Sequence, residues 1–187
     1  MKAIVISGMP AAGKTTVAKI ISNRLGIPTI GGGEILREMA AERGYRPEGE
    51  GWWDTKEGIK FLKERESDPE FDKRADLLMA RKIKGGNIVV TSYTQPWITE
   101  DGFKVWLDAS VTHRAQRMAS RDHTDIREST EAVKVRDSKN RELYEKMYGI
   151  ELGGDMKPFD LVVRTDDKNP DDVAAVIIEH LAKLKII

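Results

Sequence analysis

The sequence of 187 residues contains no cysteine, which excludes disulfide bonds, zinc–thiolate sites and thiol nucleophiles. It has no surplus of either charge, with 31 basic and 31 acidic residues, whereas a general nucleic-acid binder usually carries a basic excess. No apolar run approaches the roughly 20 residues that a membrane span needs. An apolar strand is predicted to begin at Lys2, so we expect no signal peptide. These features predict a cytoplasmic, monomeric protein without nucleic-acid or membrane partners.

Hydrophobic residues (40%) and charged residues (33%) occur in the proportions of a globular chain. Short apolar runs alternate with longer amphipathic segments, which predicts an α/β fold with a parallel sheet covered on both faces. The predicted strands are Lys2–Ser7, Pro28–Ile30, Asn87–Thr91, Phe103–Leu107 and Asp160–Arg164. The predicted helices are Lys14–Arg24, Glu34–Arg43, Glu70–Lys84, Val111–Arg121, Thr130–Met147 and Pro170–Leu184. Residues 44–68, which include Trp52 and Trp53, are less regular and are predicted to form an excursion from the core.

A phosphate-binding segment follows the first predicted strand, where residues 8–16 read GMPAAGKTT. This is the complete P-loop pattern, and it lies between a strand and a helix as the pattern requires. Its small residues let backbone N–H groups wrap a triphosphate at a helix N-terminus. Lys14 is predicted to reach the β and γ phosphates as a catalytic residue, and Thr15 to bind Mg²⁺. The predicted ATP-binding residues are Gly8, Pro10, Ala11, Ala12, Gly13, Lys14, Thr15 and Thr16.

A P-loop by itself indicates only a nucleotide-binding protein. A switch GTPase is expected to carry an Asn-Lys-x-Asp segment that reads the base, and the sequence has none. A motor or helicase needs a longer chain. A small P-loop kinase therefore fits the sequence best.

A glycine-rich segment after the second predicted strand is a candidate for the acceptor side. Residues 31–33 are all glycine and open a helix that carries Arg37 one turn later. Glycines such as Gly33 let a ligand approach the backbone closely, and the guanidinium of Arg37 can bind a monophosphate in a bidentate manner. The alternative is a flexible loop in which Arg37 pairs with a neighbouring glutamate.

A cluster of arginines lies in residues 112–147. Phosphoryl transfer needs cations around the moving phosphoryl group, because the protein mainly positions it and balances its charge. We expect two or three of these arginines to act on the nucleotide, although charged helices are usually solvated. The candidates are Arg114, Arg117, Arg121, Arg127, Arg136 and Arg141.

Most of the chain, about residues 1–43 and 68–165, resembles the archaeal type of cytidylate kinase, which belongs to the nucleoside monophosphate kinases. The stretches that carry the resemblance are ISGMPAAGKTTVAK, GGGEILREMAAERG, SDPEFDKRADLLMARK, HRAQRMASRD, LYEKMYGIE and DLVVRT. The resemblance implies transfer of the γ-phosphate of ATP to CMP or dCMP with Mg²⁺. It also implies a three-layer P-loop NTPase fold with a five-stranded parallel sheet, an acceptor-binding excursion at about 31–84 and a short lid at about 117–136.

The resemblance also implies roles for individual arginines. Arg37 matches the arginine that binds the acceptor phosphate. Arg117 and Arg136 are expected to be catalytic and to lead closure of the lid over ATP, with Arg121 or Arg141, the other predicted lid residues, assisting.

The chain departs from the family after the third predicted strand. Family members usually carry Glu-Gly-Arg there, whereas residues 90–97 of this chain read VTSYTQPW. The amide of Gln95 both donates and accepts hydrogen bonds, and we predict that it reads a pyrimidine. It cannot replace the charge of an arginine, so Arg74 or a lid arginine is predicted to assist Arg37. Two alternatives are a kinase for another monophosphate or a small metabolite, and an ATP-binding regulatory protein with little transfer activity.

Overall fold

The computed structural model of the protein describes residues 1–68 and 70–187. Within these residues, five parallel strands form one sheet in the order β2-β3-β1-β4-β5. The strands are β1 (Ile4–Gly8), β2 (Thr29–Gly31), β3 (Val89–Thr91), β4 (Phe103–Asp108) and β5 (Leu161–Arg164). The prediction of a five-stranded parallel sheet is thus confirmed.

Helices connect the strands and cover both faces of the sheet. Those in the described residues are α1 (Lys14–Leu25), α2 (Gly32–Glu42), α3 (Lys56–Glu66), α4 (Phe71–Gly85), α5 (Gln95–Ile98), α6 (Val111–Asp122), α7 (Ile126–Tyr148) and α8 (Pro170–Lys183), with a short 3-10 helix at Glu50–Asp54. Six of them correspond to predicted helices. The predicted start of α7 was four residues late, because Asp125 caps this helix by accepting a hydrogen bond from the backbone N–H of Arg127.

Two apolar cores hold the layers together, one on each face of the sheet. On one face α1 and α8 pack on β1 and β4, with Ile21 and Ile177 fully buried. On the other face α2, α3 and α4 pack on β1 and β3, with Ile35, Phe61 and Phe71 buried. Each such side chain contributes roughly 1.5–3 kcal/mol by leaving water. The central strand β1 is therefore packed on both faces.

Residues 44–68 are more regular than the sequence suggests. Thr55 begins α3 by accepting a hydrogen bond from the backbone N–H of Gly58, 3.1 Å away. Trp52 is buried against Trp53 and Phe61, with ring centroids 4.9 and 5.8 Å apart. The turn is so tight that a Cβ atom at Gly58 would lie 2.2 Å from the carbonyl oxygen of Trp52. Aromatic packing therefore fixes this segment against the second core.

The carboxyl ends of the parallel strands meet at one edge of the sheet, which is where ligands bind in open α/β folds. The loops after β1 and β3 both emerge there. In the described part of the chain, we find no helix whose length and apolar character would let it cross a membrane.

Candidate active site

The loop between β1 and α1 is curled by backbone conformations that few residues adopt. Gly8, Ala11 and Gly13 have φ angles of 152°, 62° and 97°. A Cβ atom at Gly8 would lie 2.7 Å from the carbonyl oxygen of Leu107, so only glycine fits there. Among the described residues, no side chain caps the N-terminus of α1. Its first N–H groups are thus available to an anion.

Lys14, the first residue of α1, folds back into this loop. Its Nζ donates hydrogen bonds to the carbonyl oxygens of Gly8 at 2.8 Å and Met9 at 3.0 Å. The same atom lies 4.3 Å from the centroid of the Tyr93 ring. Burial, and after it the positive charges of Arg136 and Arg114, together lower the pKa of Lys14 to about 7. An anionic phosphate in the loop would oppose this shift and restore the charge of the ammonium.

A buried ion pair supports the loop from the side of α6 and α7. The guanidinium of Arg114 donates to both oxygens of Asp137, at 2.8 and 2.7 Å, and both side chains are buried. The same guanidinium donates to the carbonyl oxygens of Pro10 at 3.2 Å and Ala109 at 3.1 Å. Arg114 therefore positions the phosphate-binding loop instead of facing a ligand directly.

A cavity of about 530 Å³ lies over the loop. Its lining includes residues 11–16 and three arginines, Arg117, Arg121 and Arg136. Arg117 is held in place because it donates to the carbonyl oxygens of Ala12 at 3.3 Å and Thr165 at 2.6 Å. Arg121, by contrast, is exposed and pairs with the adjacent Asp122 at 2.6 Å. This cavity, which we call the donor cavity after the role proposed for it below, is thus lined by six of the eight predicted ATP-binding residues and by three of the four arginines predicted to be catalytic or in the lid.

Arg141, the fourth of these arginines, lies outside the donor cavity. Its Nε donates to the carbonyl oxygen of Leu152 at 3.2 Å, and it lines a separate groove between α6 and α7. Its assignment to the lid stays a prediction.

A second cavity, of about 330 Å³, lies on the other side of Lys14. One face of α4 lines it through residues spaced one turn apart, and α2, α7 and the loop after β3 close it. Those α4 residues are Asp72, Ala75, Asp76 and Met79. The two cavities share Lys14, Thr15 and Tyr93. Two ligands, one in each cavity, would therefore meet at the lysine of the P-loop.

Asp76 ties together the walls of this second cavity, which we call the acceptor cavity after the role proposed for it below. It accepts hydrogen bonds from Tyr148 Oη at 2.6 Å, Thr94 Oγ1 at 2.8 Å and Gln95 Nε2 at 3.3 Å. Gln95 Nε2 also donates to the backbone carbonyl oxygen of Asp76 at 2.8 Å. Burial raises the pKa of Tyr148, and its hydrogen bond to Asp76 raises it further. The network fixes the loop after β3 against α4 and α7.

The residues predicted from the sequence to bind the acceptor lie outside the lining of this cavity. Gly33 is exposed, and the amide of Gln95 is completely buried and faces Asp76. Arg37 donates to the carbonyl oxygen of Pro47 at 2.7 Å and lies over Trp53. Arg74 forms an ion pair with Asp68 at the surface. Their assignment as acceptor ligands stays a prediction.

Three charged residues line the acceptor cavity that sequence reasoning missed. They are Arg65 at the end of α3 and the two aspartates Asp72 and Asp76 on α4. One sequence signal was present, because the residues at 72, 75, 76 and 79 have the spacing of a single helix face. Arg65 gave no comparable signal, since it lies in the segment that was predicted to be irregular.

A phosphate-binding loop joins a strand to a helix at the edge of a parallel sheet, and two cavities meet at the lysine of this loop. These features define a P-loop phosphotransferase. Solved structures agree with this fold. An uncharacterized protein from Eubacterium ventriosum superposes with a TM-score of 0.69 at 16% identity, covering 97% of this chain and 99% of that one. A shikimate kinase from Acinetobacter baumannii in complex with shikimate gives 0.58 at 15% identity, covering 100% of this chain and 96% of that one.

Sequence comparison then narrows the class to one family. The profile of the cytidylate kinase-like family matches residues 3–167. A cytidylate kinase from Pyrobaculum aerophilum is 33% identical over 96% of this chain and 92% of its own length. One from Sulfurisphaera tokodaii is 35% identical, covering 95% of this chain and 94% of its own. The chain belongs to the cytidylate kinase-like family, and it is an ATP-dependent phosphotransferase that acts on nucleotides.

Proposed function

We propose that the protein transfers the γ-phosphoryl group of ATP to CMP or dCMP, giving ADP and the pyrimidine nucleoside diphosphate. The observation that carries this proposal is the meeting of two cavities at Lys14, Thr15 and Tyr93. A regulatory protein that only binds ATP has no need of the second cavity. The relatives that are named cytidylate kinase supply the identity of the acceptor.

The chain's own groups account for the steps of this reaction. The P-loop N–H groups and Lys14 hold the triphosphate, and Arg117 and Arg136 line the same cavity. An oxygen of the acceptor phosphate attacks the γ-phosphorus while the bond from that phosphorus to the β–γ bridging oxygen breaks, and ADP leaves. The acceptor phosphate is already an anion, so no side chain has to remove a proton from it.

Thr15 fits the role of the protein ligand to Mg²⁺. Thr15 follows the loop lysine directly and lines both cavities. Among residues 1–68 and 70–187 no group of three or more acidic, histidine or cysteine side chains could hold a metal. A site with one protein hydroxyl as ligand suits Mg²⁺, which takes most of its ligands from phosphates and water. When bound, Mg²⁺ supplies positive charge to the phosphates.

We also propose that the tips of α6 and α7 form the lid. These helices are joined by a short turn at residues 123–125, and the exposed Arg121 lies beside it. Closure would bring this arginine toward the triphosphate. Protease cleavage within residues 122–131 should slow when a bisubstrate analogue is bound, and unchanged cleavage would argue against a lid here. The monomeric state and the cytoplasmic location stay predictions from the sequence.

The test of the proposed function is an assay of ADP formation with ATP, Mg²⁺ and each of CMP, dCMP, UMP, AMP and GMP. We expect CMP and dCMP to give the highest kcat/KM. The matched control is Lys14→Ala, which should abolish transfer while its circular dichroism spectrum stays that of the wild type. If no monophosphate is a substrate, the nucleotide assignment of the acceptor cavity fails and the small-metabolite alternative takes its place.

A further inference from the structure

An arginine–aspartate pair forms part of the wall of the acceptor cavity. Arg65, in the last turn of α3, donates from Nε to Oδ1 of Asp72, in the first turn of α4, at 2.8 Å. Both residues line the cavity, and each side chain is 36% exposed. Within the described part of the chain, this bond leaves Oδ2 of Asp72 and the two Nη groups of Arg65 for a ligand.

The pair lies outside the part of the acceptor cavity that is shared with the donor cavity. Lys14, Thr15 and Tyr93 line both cavities, whereas Arg65 and Asp72 line the acceptor cavity alone. An acceptor whose phosphate lies at Lys14 therefore extends its other end, the base, into the part of the cavity that contains Arg65 and Asp72.

Much of the remaining lining of the cavity is apolar. Apolar side chains from three helices contribute to it, as they do in most sites for small molecules. They are Ile35, Leu36, Ala75, Met79, Leu143 and Met147. A planar base between such walls presents its polar edge to whatever hydrogen-bonding groups lie at the end of the cavity.

The two carboxylates on α4 differ in what they can still bind. Asp76 already accepts hydrogen bonds from Tyr148, Thr94 and Gln95, so it holds the wall. Asp72 has a single partner among the described residues, Arg65. Asp72 is therefore the carboxylate with capacity for a ligand.

We propose that Arg65 and Asp72 together read the edge of the acceptor base and select cytosine over uracil. Cytosine presents a donor, the N4 amino group, next to an acceptor, N3, and a carboxylate beside a guanidinium offers the complementary acceptor and donor. Uracil presents the reverse order, an acceptor at O4 and a donor at N3–H. Its O4 would then face the carboxylate, which is also an acceptor, and its N3–H would face the guanidinium, which is also a donor. A site built for one hydrogen-bond pattern rejects the other strongly because buried polar groups are left unpaired. This inference rests on the proposed function.

The test compares CMP with UMP in the wild type, Asp72→Asn and Arg65→Ala. For each protein, kcat/KM is measured for both acceptors, and the dissociation constants of CMP and UMP are measured by calorimetry. An asparagine can turn its amide to donate to O4 of uracil, so Asp72→Asn should lower the CMP/UMP preference about 5- to 100-fold. Arg65→Ala should also reduce the preference while leaving the dissociation constant of ATP unchanged.

The matched control is Glu70→Gln, which removes a carboxylate two residues from Asp72. Glu70 pairs with Lys73 at 3.0 Å on the exposed side of α4. The CMP/UMP preference of the Glu70→Gln variant should therefore equal that of the wild type. Thermal melting of each variant checks that it is folded.

Three results would overturn the inference. The first is an unchanged CMP/UMP preference in folded Asp72→Asn. The second is an equal rise in KM for both acceptors in Arg65→Ala, which would show that Arg65 binds the phosphate. The third is a wild type that binds and phosphorylates CMP and UMP equally well. A wild type that uses no monophosphate at all overturns the proposed function itself.

Discussion

The lowered pKa of Lys14 makes ATP binding depend on pH, and this dependence is the most specific prediction of the site geometry. Burial and the nearby arginines bring the pKa of this lysine to about 7 in the free protein. Bound phosphates oppose both effects, so Lys14 regains its proton when ATP binds. If only the charged lysine binds the triphosphate, the affinity for ATP is highest well below pH 7 and falls as the pH rises above 7.

The magnitude follows from the fraction of molecules that carry the charge. With a pKa of about 7, roughly nine molecules in ten are charged at pH 6 and roughly one in ten at pH 8. The dissociation constant of ATP should therefore rise about tenfold between these pH values, which corresponds to about 1.4 kcal/mol. At pH 8 each ATP molecule that binds should take up nearly one proton.

The assay is calorimetry of ATP binding at several pH values, repeated in buffers of different ionisation enthalpy to count protons. Lys14→Met is the control, because it should bind ATP more weakly and has no lysine to titrate at this position. The ionisation of ATP itself affects both proteins equally, so it cancels in the comparison. An identical pH dependence in the two proteins, with no proton uptake specific to the wild type, would refute this reasoning.

Other predictions concern the support of the loop and its cations. Asp137→Ala leaves Arg114 buried and unpaired and should lower the free energy of unfolding in urea by about 3–5 kcal/mol; a loss below about 1 kcal/mol would contradict this. Arg136→Ala should lower kcat more than it weakens ATP binding, and equal losses would argue against a role in the transition state. Gly8→Ala places a Cβ atom against the carbonyl of Leu107, so its melting temperature should drop and its ATP affinity weaken; a wild-type melting curve would show that the loop tolerates a side chain.

The donor side could be predicted from the sequence because its signals are local. The P-loop spans residues 8–16, and the conformation of such a loop follows from a few consecutive small residues between a strand and a helix. The sheet was predictable for a similar reason, since buried parallel strands such as β1 are continuous apolar runs. These features depend on neighbours in the sequence, and the structure places them where they were predicted.

The acceptor side depends on contacts between residues far apart in the sequence. Arg37 shows the difficulty, because its helical position was visible but its hydrogen bond to the carbonyl of Pro47 was not. Arg65 reaches the cavity because α3 packs into the second core through Phe61, which contacts Trp52 of the preceding 3-10 helix. No periodicity within one helix reveals such a placement, since it is decided by how aromatic side chains fill the second core.

The most direct test of the central claim is to follow the γ-phosphoryl group itself. ATP labelled at the γ position is mixed with a stoichiometric excess of protein, Mg²⁺ and CMP, and the label is traced by chromatography. The account predicts that the label appears in CDP at the same rate as ADP forms, and that Lys14→Ala gives no transfer. Label that appears only as inorganic phosphate, or that remains in ATP, would contradict the assignment of the two cavities as donor and acceptor sites.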